Sequence, residues 1–208
     1  MIGIIDYGMG NLFSVSKALD RLNTSFFISQ NPDELKIADG LILPGVGSFK
    51  DAMELLNRFG LTPMIQNYVQ QDKPLLGICL GMQLLFQESE ENGHTAGLQI
   101  LPGSVKRFSG VTKDGRRFKV PHMGWNQLTY TSSSPLFHGL NEDYVYFVHS
   151  YFVDTTDEVI LAKSHYGGVD VPAVGGKGNV YGMQFHPEKS SKLGMALLAN
   201  FTRLVQKG

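Results

Sequence analysis

The sequence carries one cysteine in 208 residues. A single thiol closes no internal disulfide, so the fold does not depend on an oxidising compartment. Neither charge is in excess: 18 Lys and Arg stand against 19 Asp and Glu, a formal net charge of −1 at pH 7. That balance gives no electrostatic pull toward nucleic acid or an anionic membrane. No apolar run approaches the roughly 18 residues that a membrane-spanning helix needs. The opening stretch MIGIIDYGMGN has no basic segment ahead of an apolar one and no small-residue cleavage site, so no signal peptide is expected. Asn23 and Asn200 sit in glycosylation patterns, which carry no meaning without export. No linker, repeat or low-complexity stretch divides the chain. The expectation is a cytoplasmic protein, one domain over residues 1–208, that binds neither nucleic acid nor membrane.

What is present is enough apolar residue, 42%, for a substantial core. The first half alternates strand and helix signals. IGIID (2–6), SFFIS (25–29), GLILPG (40–45) and PLLGI (74–78) read as short strands apolar on both faces. Between them, NLFSVSKALDRLN (11–23) has Leu12, Val15, Leu19 and Leu22 at helical spacing, PDEL is a short helical turn, and SFKDAMELLNRF and TPMIQNYVQQ read as helices. This alternation predicts a parallel sheet covered on both sides. The second half is strand-like, with VPHMGWNQLTY (120–130), YVYFVHSYFV (144–153), VILAKS (159–164), PAVGGKGNV (172–180) and YGMQF (181–185), and it closes on a helix over 192–206. We expect these strands to extend the core sheet antiparallel, giving a mixed α/β domain. The basic stretch KDGRRFK (113–119) reads as a hairpin turned at Asp114-Gly115 with solvated flanks.

The cysteine stands in GICLG (77–81), a glycine–x–nucleophile–x–glycine spacing between a strand and a helix. Such an elbow strains the backbone at the nucleophile, and Gly77 and Gly81 give the room that side chains would block. The start of the following helix favours thiolate over thiol at Cys79, and the Leu80 N–H is placed to hold an oxyanion. The alternative is that Cys79 is a small buried hydrophobe, as free cysteines commonly are. A base decides between them. Of six histidines, His186 lies in QFHPE (184–188) at a strand end, with Glu188 two residues on. Pro187 biases His186 to extended backbone, where i and i+2 share a side, so the carboxylate can fix the imidazole tautomer. A metal site using His186, Glu188 and His149 is the competing reading, and nothing supplies a thiolate cluster or a second spaced histidine pair. A second oxyanion donor belongs on a neighbouring strand's loop, and the third strand ends in PGVG (44–47), where Gly45 and Gly47 leave the peptides around Val46 free to rotate. Neither that loop nor YGMG (7–10) completes a dinucleotide or phosphate loop.

With GICLGMQ (77–83) and QFHPE (184–188), the sequence resembles the class I, or triad, glutamine amidotransferases. IDYGMGNLFSV (5–15), PGVGSF (44–49), VPHMGWN (120–126), FVHSYF (147–152) and GMQFHPEKSS (182–191) extend the likeness almost end to end, toward the glutaminase subunits of imidazole glycerol phosphate synthases. The resemblance implies a three-layer α/β/α fold with a central mixed, mostly parallel, flavodoxin-like sheet. It implies hydrolysis of L-glutamine to glutamate and ammonia through a γ-glutamyl thioester on Cys79, with His186 as base and Glu188 orienting it, and no cofactor or metal. It places the Val46 N–H beside that of Leu80 in the oxyanion hole, and Gly47, Gln83, Ser150 and Tyr151 on the glutamine. The partner it implies is a cyclase subunit with a (β/α)₈ barrel, joined as a heterodimer with an ammonia channel and serving histidine biosynthesis. His122, Met123, Trp125, Asn126 and Lys189 would line that junction. The glycines around Val46 also suit a peptide that flips between resting and oxyanion-competent states. Rival readings are a thiol hydrolase or peptidase on the same elbow, and a catalytically silent binding module.

Overall fold

The computed structural model describes residues 1–207. Strands β1 (Ile2–Ile5), β2 (Phe26–Ser29), β3 (Gly40–Gly45) and β4 (Leu75–Cys79) form the first half of the sheet. They are joined through α1 (Leu12–Arg21), α2 (Pro32–Leu35), α3 (Phe49–Arg58) and α4 (Leu61–Gln70). All of β1, β3 and β4 is buried. The reason is visible in their alternation: Leu41, Leu43 and Leu75 pack with α3 and α4 on one face, while Ile42, Leu76 and Ile78 pack with α1 and the C-terminal helix on the other.

After β4 come a short helix α5 (Leu80–Leu84) and the small strands β5 (Glu88–Ser89), β6 (Thr95–Ala96) and β7 (Ser104–Arg107). Strands β8 (His122–Gln127), β9 (Thr129–Tyr130), β10 (Tyr144–His149) and β11 (Tyr151–Asp154) follow. Strands β12 (Ile160–Tyr166), β13 (Val169–Lys177) and β14 (Val180–Met183) lead to α6 (Ser191–Lys207). The eight-stranded sheet runs β2-β1-β3-β4-β14-β13-β12-β9. Its first five strands are parallel and the last three antiparallel.

The second half departs from expectation in three ways, the first being that β14 runs parallel to β4 and not antiparallel. Only β9, β12, β13 and β14 join the core sheet; β8 pairs with β10, and β11 joins β7, β5 and β6 in a separate sheet. The stretch 144–153 is therefore two strands, and Ser150 is the break between them. At that break the chain leaves its pairing with β8 and takes up pairing with β7. The tip at Asp114-Gly115 is a turn as expected, with Gly115 at φ 83 and a bridge between Val111 and Arg117. Among the described residues no helix is long and apolar enough to cross a membrane.

Candidate active site

The parallel strands β3 and β4 end side by side, with Gly45 paired to Cys79. Cys79 ends its strand at φ 56 and ψ −112, a positive φ in a residue that has a Cβ. Such a conformation costs about 1–3 kcal/mol and persists only where the surroundings impose it. Close packing imposes it here. A Cβ on Gly81 would lie 1.8 Å from Leu43 O, and one on Gly77 would lie 2.5 Å from Gly81 O. The flanking glycines thus let α5 lie directly on β3 and β4, turning the sulfur outward. Gly45 has a similar part: its Cβ would meet the Tyr7 hydroxyl at 2.7 Å. It is a close-packing residue at the end of β3, and Gly47, on the other side of Val46, holds φ 97, a conformation that favours glycine. α5 spans five residues. Its dipole is correspondingly small, and the charge balance at the sulfur falls to its neighbours.

Those neighbours line a cavity of about 420 Å³, a size that suits a small metabolite. Val46, Gly47, Cys79 and Leu80 form one wall; Val148, His149, Ser150 and Tyr151 form the other, and His186 closes it. His186 Nδ1 is 2.9 Å from Glu188 Oε1, with both side chains buried. Burial alone would lower the His186 pKa, but hydrogen bonding to Cys79 and Glu188 and the negative charge of both outweigh it and raise it to about 10. A protonated imidazole is thereby favoured beside the Glu188 carboxylate. Glu188 Oε2 is buried and has no partner among the described residues. The turn carrying this pair is tied down by His186 N–H to Tyr146 O, and by Ser190, which accepts from Tyr146 N and donates to His186 O.

Gln83, expected at the substrate, lines the cavity, and its Nε2 donates to Tyr151 O and to Gln184 Oε1, both at 2.9 Å. Gln184 in turn points Nε2 at Cys79 Sγ from 4.0 Å. Sequence reasoning passed over Gln184, although it lies two residues before His186 on the same extended run. It also passed over Glu91, a cavity carboxylate whose Oε2 accepts from Phe49 N at 2.8 Å and so caps α3. Ser48, at the N-cap, supplies no such bond. Glu91 sits in the acidic run ESEEN, where nothing local marks it. Tyr7 is a third: its hydroxyl is buried without a partner among the described residues, and burial first, then the charge of Cys79, push its pKa up.

The residues expected at a junction divide. Met123 and Trp125 are exposed on β8, Lys189 is exposed just beyond the His186–Glu188 turn, and Asn126 is half-buried. His122 does not join them. It is 2% exposed, with its ring stacked between Tyr166 and Phe147 inside the β8–β10 layer. The alternation of β8 sends Met123 and Trp125 outward and His122 inward. Among the described residues no group of three or more His, Cys, Asp or Glu side chains is arranged to hold a metal ion.

The chain is similar to known proteins along almost its whole length. The family Glutamine amidotransferase class-I matches residues 3–204. The imidazole glycerol phosphate synthase subunit HisH of Halalkalibacterium halodurans is 62% identical over 210 residues, covering 100% of this chain and 98% of that protein. The HisH subunit of Bacillus subtilis is 55% identical over 204 residues, covering 98% and 96%. A crystal structure of a glutamine amidotransferase superposes with a TM-score of 0.76 at 21% identity, covering 99% of this chain and 98% of that one. The structure of PurLQS from Thermotoga maritima does so with a TM-score of 0.74 at 18% identity, covering 98% and 97%. At those identities the two solved structures speak for the three-layer fold alone.

Proposed function

The chain belongs to the class-I glutamine amidotransferases, in the branch of the HisH subunits of imidazole glycerol phosphate synthase, and from that premise we propose how its residues divide the work of a glutaminase. Residues 1–208 act as one amidotransferase domain. Cys79 Sγ attacks the side-chain amide carbon of L-glutamine. His186, already favoured in its protonated form, gives its proton to the departing ammonia, leaving a γ-glutamyl thioester on the sulfur. Water then attacks the thioester with His186 as base, releasing glutamate. Glu188 keeps the imidazole oriented and offsets its charge. The developing oxyanion is held by the Leu80 and Val46 N–H groups, both from cavity-lining residues. Flipping of the Gly45–Val46 peptide, which carries the Val46 N–H, would gate that hole. Gly47, Ser150 and Tyr151 hold the body of the glutamine, Gln83 braces the wall behind it, and Glu91 receives the α-ammonium, the one cationic group the substrate brings.

The observation that carries this reading is the meeting of Cys79 and His186, from β4 and from beyond β14, at one cavity with Glu188 bonded behind the imidazole. No cofactor enters any step. Free ammonia would be protonated or lost in water, so a cyclase subunit with a (β/α)₈ barrel docks over the cavity as the other half of a heterodimer and takes the ammonia through a channel. Met123, Trp125, Asn126 and Lys189 meet it. The test is glutamate release by the chain alone and with a cyclase barrel and its nucleotide ligand. Turnover that rises steeply with the barrel and its ligand supports the reading; full turnover by the isolated chain rules out the gate. Absence of Cys79 labelling by a glutamine-like electrophile overturns the proposed nucleophile.

A further inference from the structure

Two buried histidines that the mechanism does not use stand at the Tyr151 wall, His149 in the cavity lining and His122 behind it. His122 Nδ1 is 3.0 Å from His149 Nε2, and His149 Nδ1 is 2.7 Å from Tyr151 O. A carbonyl oxygen only accepts, so His149 carries its proton on Nδ1 and its Nε2 must accept. His122 therefore donates through Nδ1, leaving its own Nε2 as an acceptor 3.4 Å from Asn126 Nδ2. The Asn126 amide is oriented by two further bonds: Nδ2 donates to His165 O at 2.8 Å, and Oδ1 accepts from Gln127 N at 2.9 Å. The relay from Asn126 through His122 and His149 to Tyr151 O thus runs one way, from strand β8 toward the cavity. Tyr166 and Phe147 stack on the His122 ring at 3.9 and 4.6 Å between centroids, fixing its plane. A second proton on either ring would set N–H against N–H.

We infer that His149 and His122 are positioning residues for the glutaminase reaction: the His149 ring bridges the strand break at Ser150 and, with its tautomer fixed by His122, holds the Tyr151 carbonyl against Gln83. The inference rests on the reading of Cys79 as the nucleophile. Its logic is continuity. Tyr151 O accepts from His149 on one side and from Gln83 on the other, Gln83 donates to Gln184, and Gln184 faces the sulfur. Ser150, the residue spanned by the ring, lines the cavity. Loss of the ring N–H would free that peptide and loosen both the glutamine's seat and the bracing of Gln184.

Two measurements test it. Nitrogen-15 spectra of the histidine rings in the full chain, from pH 5 to 9, should show two neutral rings protonated on Nδ1 that do not titrate, assigned through His122→Asn. Titration of either ring within that range, or a proton on Nε2, overturns the inference. The second is the labelling rate of Cys79 by a diazoketone analogue of glutamine and by iodoacetamide. His149→Leu should slow the diazoketone about 10- to 100-fold and slow iodoacetamide, which needs no glutamine seat, far less. His149→Asn, which keeps a donor near the Nδ1 position, should recover most of the loss. Equal diazoketone rates for wild type and His149→Leu overturn the inference alone. No diazoketone labelling of the wild type, with iodoacetamide labelling intact, overturns the glutaminase reading and this inference with it.

Discussion

His186 and His149 face one cavity from walls of different make. His186 stands at the end of the parallel sheet beside a strained cysteine, where strand and helix are locked together by glycines that admit no Cβ. His149 ends β10 in a two-stranded antiparallel layer, where order comes from a run of directed hydrogen bonds. The two imidazoles are accordingly driven apart. His186 is lifted to about 10 by its anionic partners against the effect of burial. Burial, only partly offset by the bond to Tyr151 O, takes His149 down to about 3, and burial takes His122 to about 4. Similar burial thus yields a charged ring where a buried carboxylate waits and neutral rings where only dipoles do. Chemistry that moves a proton needs the first, and a wall that must not repel the imidazolium needs the second.

The comparison breaks most completely at the sulfur. Cys79→Ala should lower glutaminase turnover about 10⁴-fold or more, measured as glutamate release with the barrel partner present. Cys79→Gly should be as inactive yet more stable than Cys79→Ala by about 1 kcal/mol, because glycine adopts φ 56 without steric penalty. Equal denaturation midpoints for the two variants would mean that the elbow stores no strain. Next in size is Gly81→Ala. Its Cβ would fall 1.8 Å from Leu43 O, a backbone atom that cannot rotate away, so a loss of about 3 kcal/mol or more is expected in chemical denaturation. Glu188→Gln keeps the shape and removes the anion. It should lower turnover about 100-fold and bring the His186 pKa down, visible as a downward shift in the ring's titration by nitrogen-15 spectroscopy.

These walls were unequally legible in the sequence. The elbow was readable because glycine–x–cysteine–x–glycine states a local steric demand. His186 with Glu188 was readable because two residues so near in sequence stay together, although the carboxylate comes round through a 3₁₀ turn over Pro187–Lys189 and not through the extended chain expected. The alternating layers of the parallel core followed from runs apolar on both faces. The second wall was not readable because its contacts are set by register. His122 meets His149 only because β8 and β10 pair antiparallel with those two residues opposite each other. No local pattern marks that pairing, and the break at Ser150 that frees β11 for another sheet has no proline or glycine to announce it. His122 was accordingly expected at the surface with Met123 and Trp125, one residue out of phase with its true facing. Gln184 and Glu91 escaped for the same reason, since each gains its meaning from a residue far along the chain.

The smallest effect sharpens the contrast through pH. His186 is raised in the folded chain above the ordinary histidine value of about 6.5, so its contribution to stability is complete below that value and disappears as pH rises through about 10. His149 and His122 run the opposite way. Their folded values lie below 6.5, so the unfolded chain takes up protons first on acidification. Their contribution is present above about 6.5 and is lost as pH falls toward about 4 and about 3. Stability against pH should therefore have two flanks, each owned by one wall. In urea midpoints taken from pH 4 to 10, Glu188→Gln should erode the alkaline flank and leave the acidic one in place. His149→Asn, which removes a titrating ring while keeping a donor toward Tyr151, should flatten the acidic slope and spare the alkaline side. If one substitution moved both flanks equally, the two walls would be a single electrostatic unit, and the division between a charged and a neutral imidazole would have to be given up.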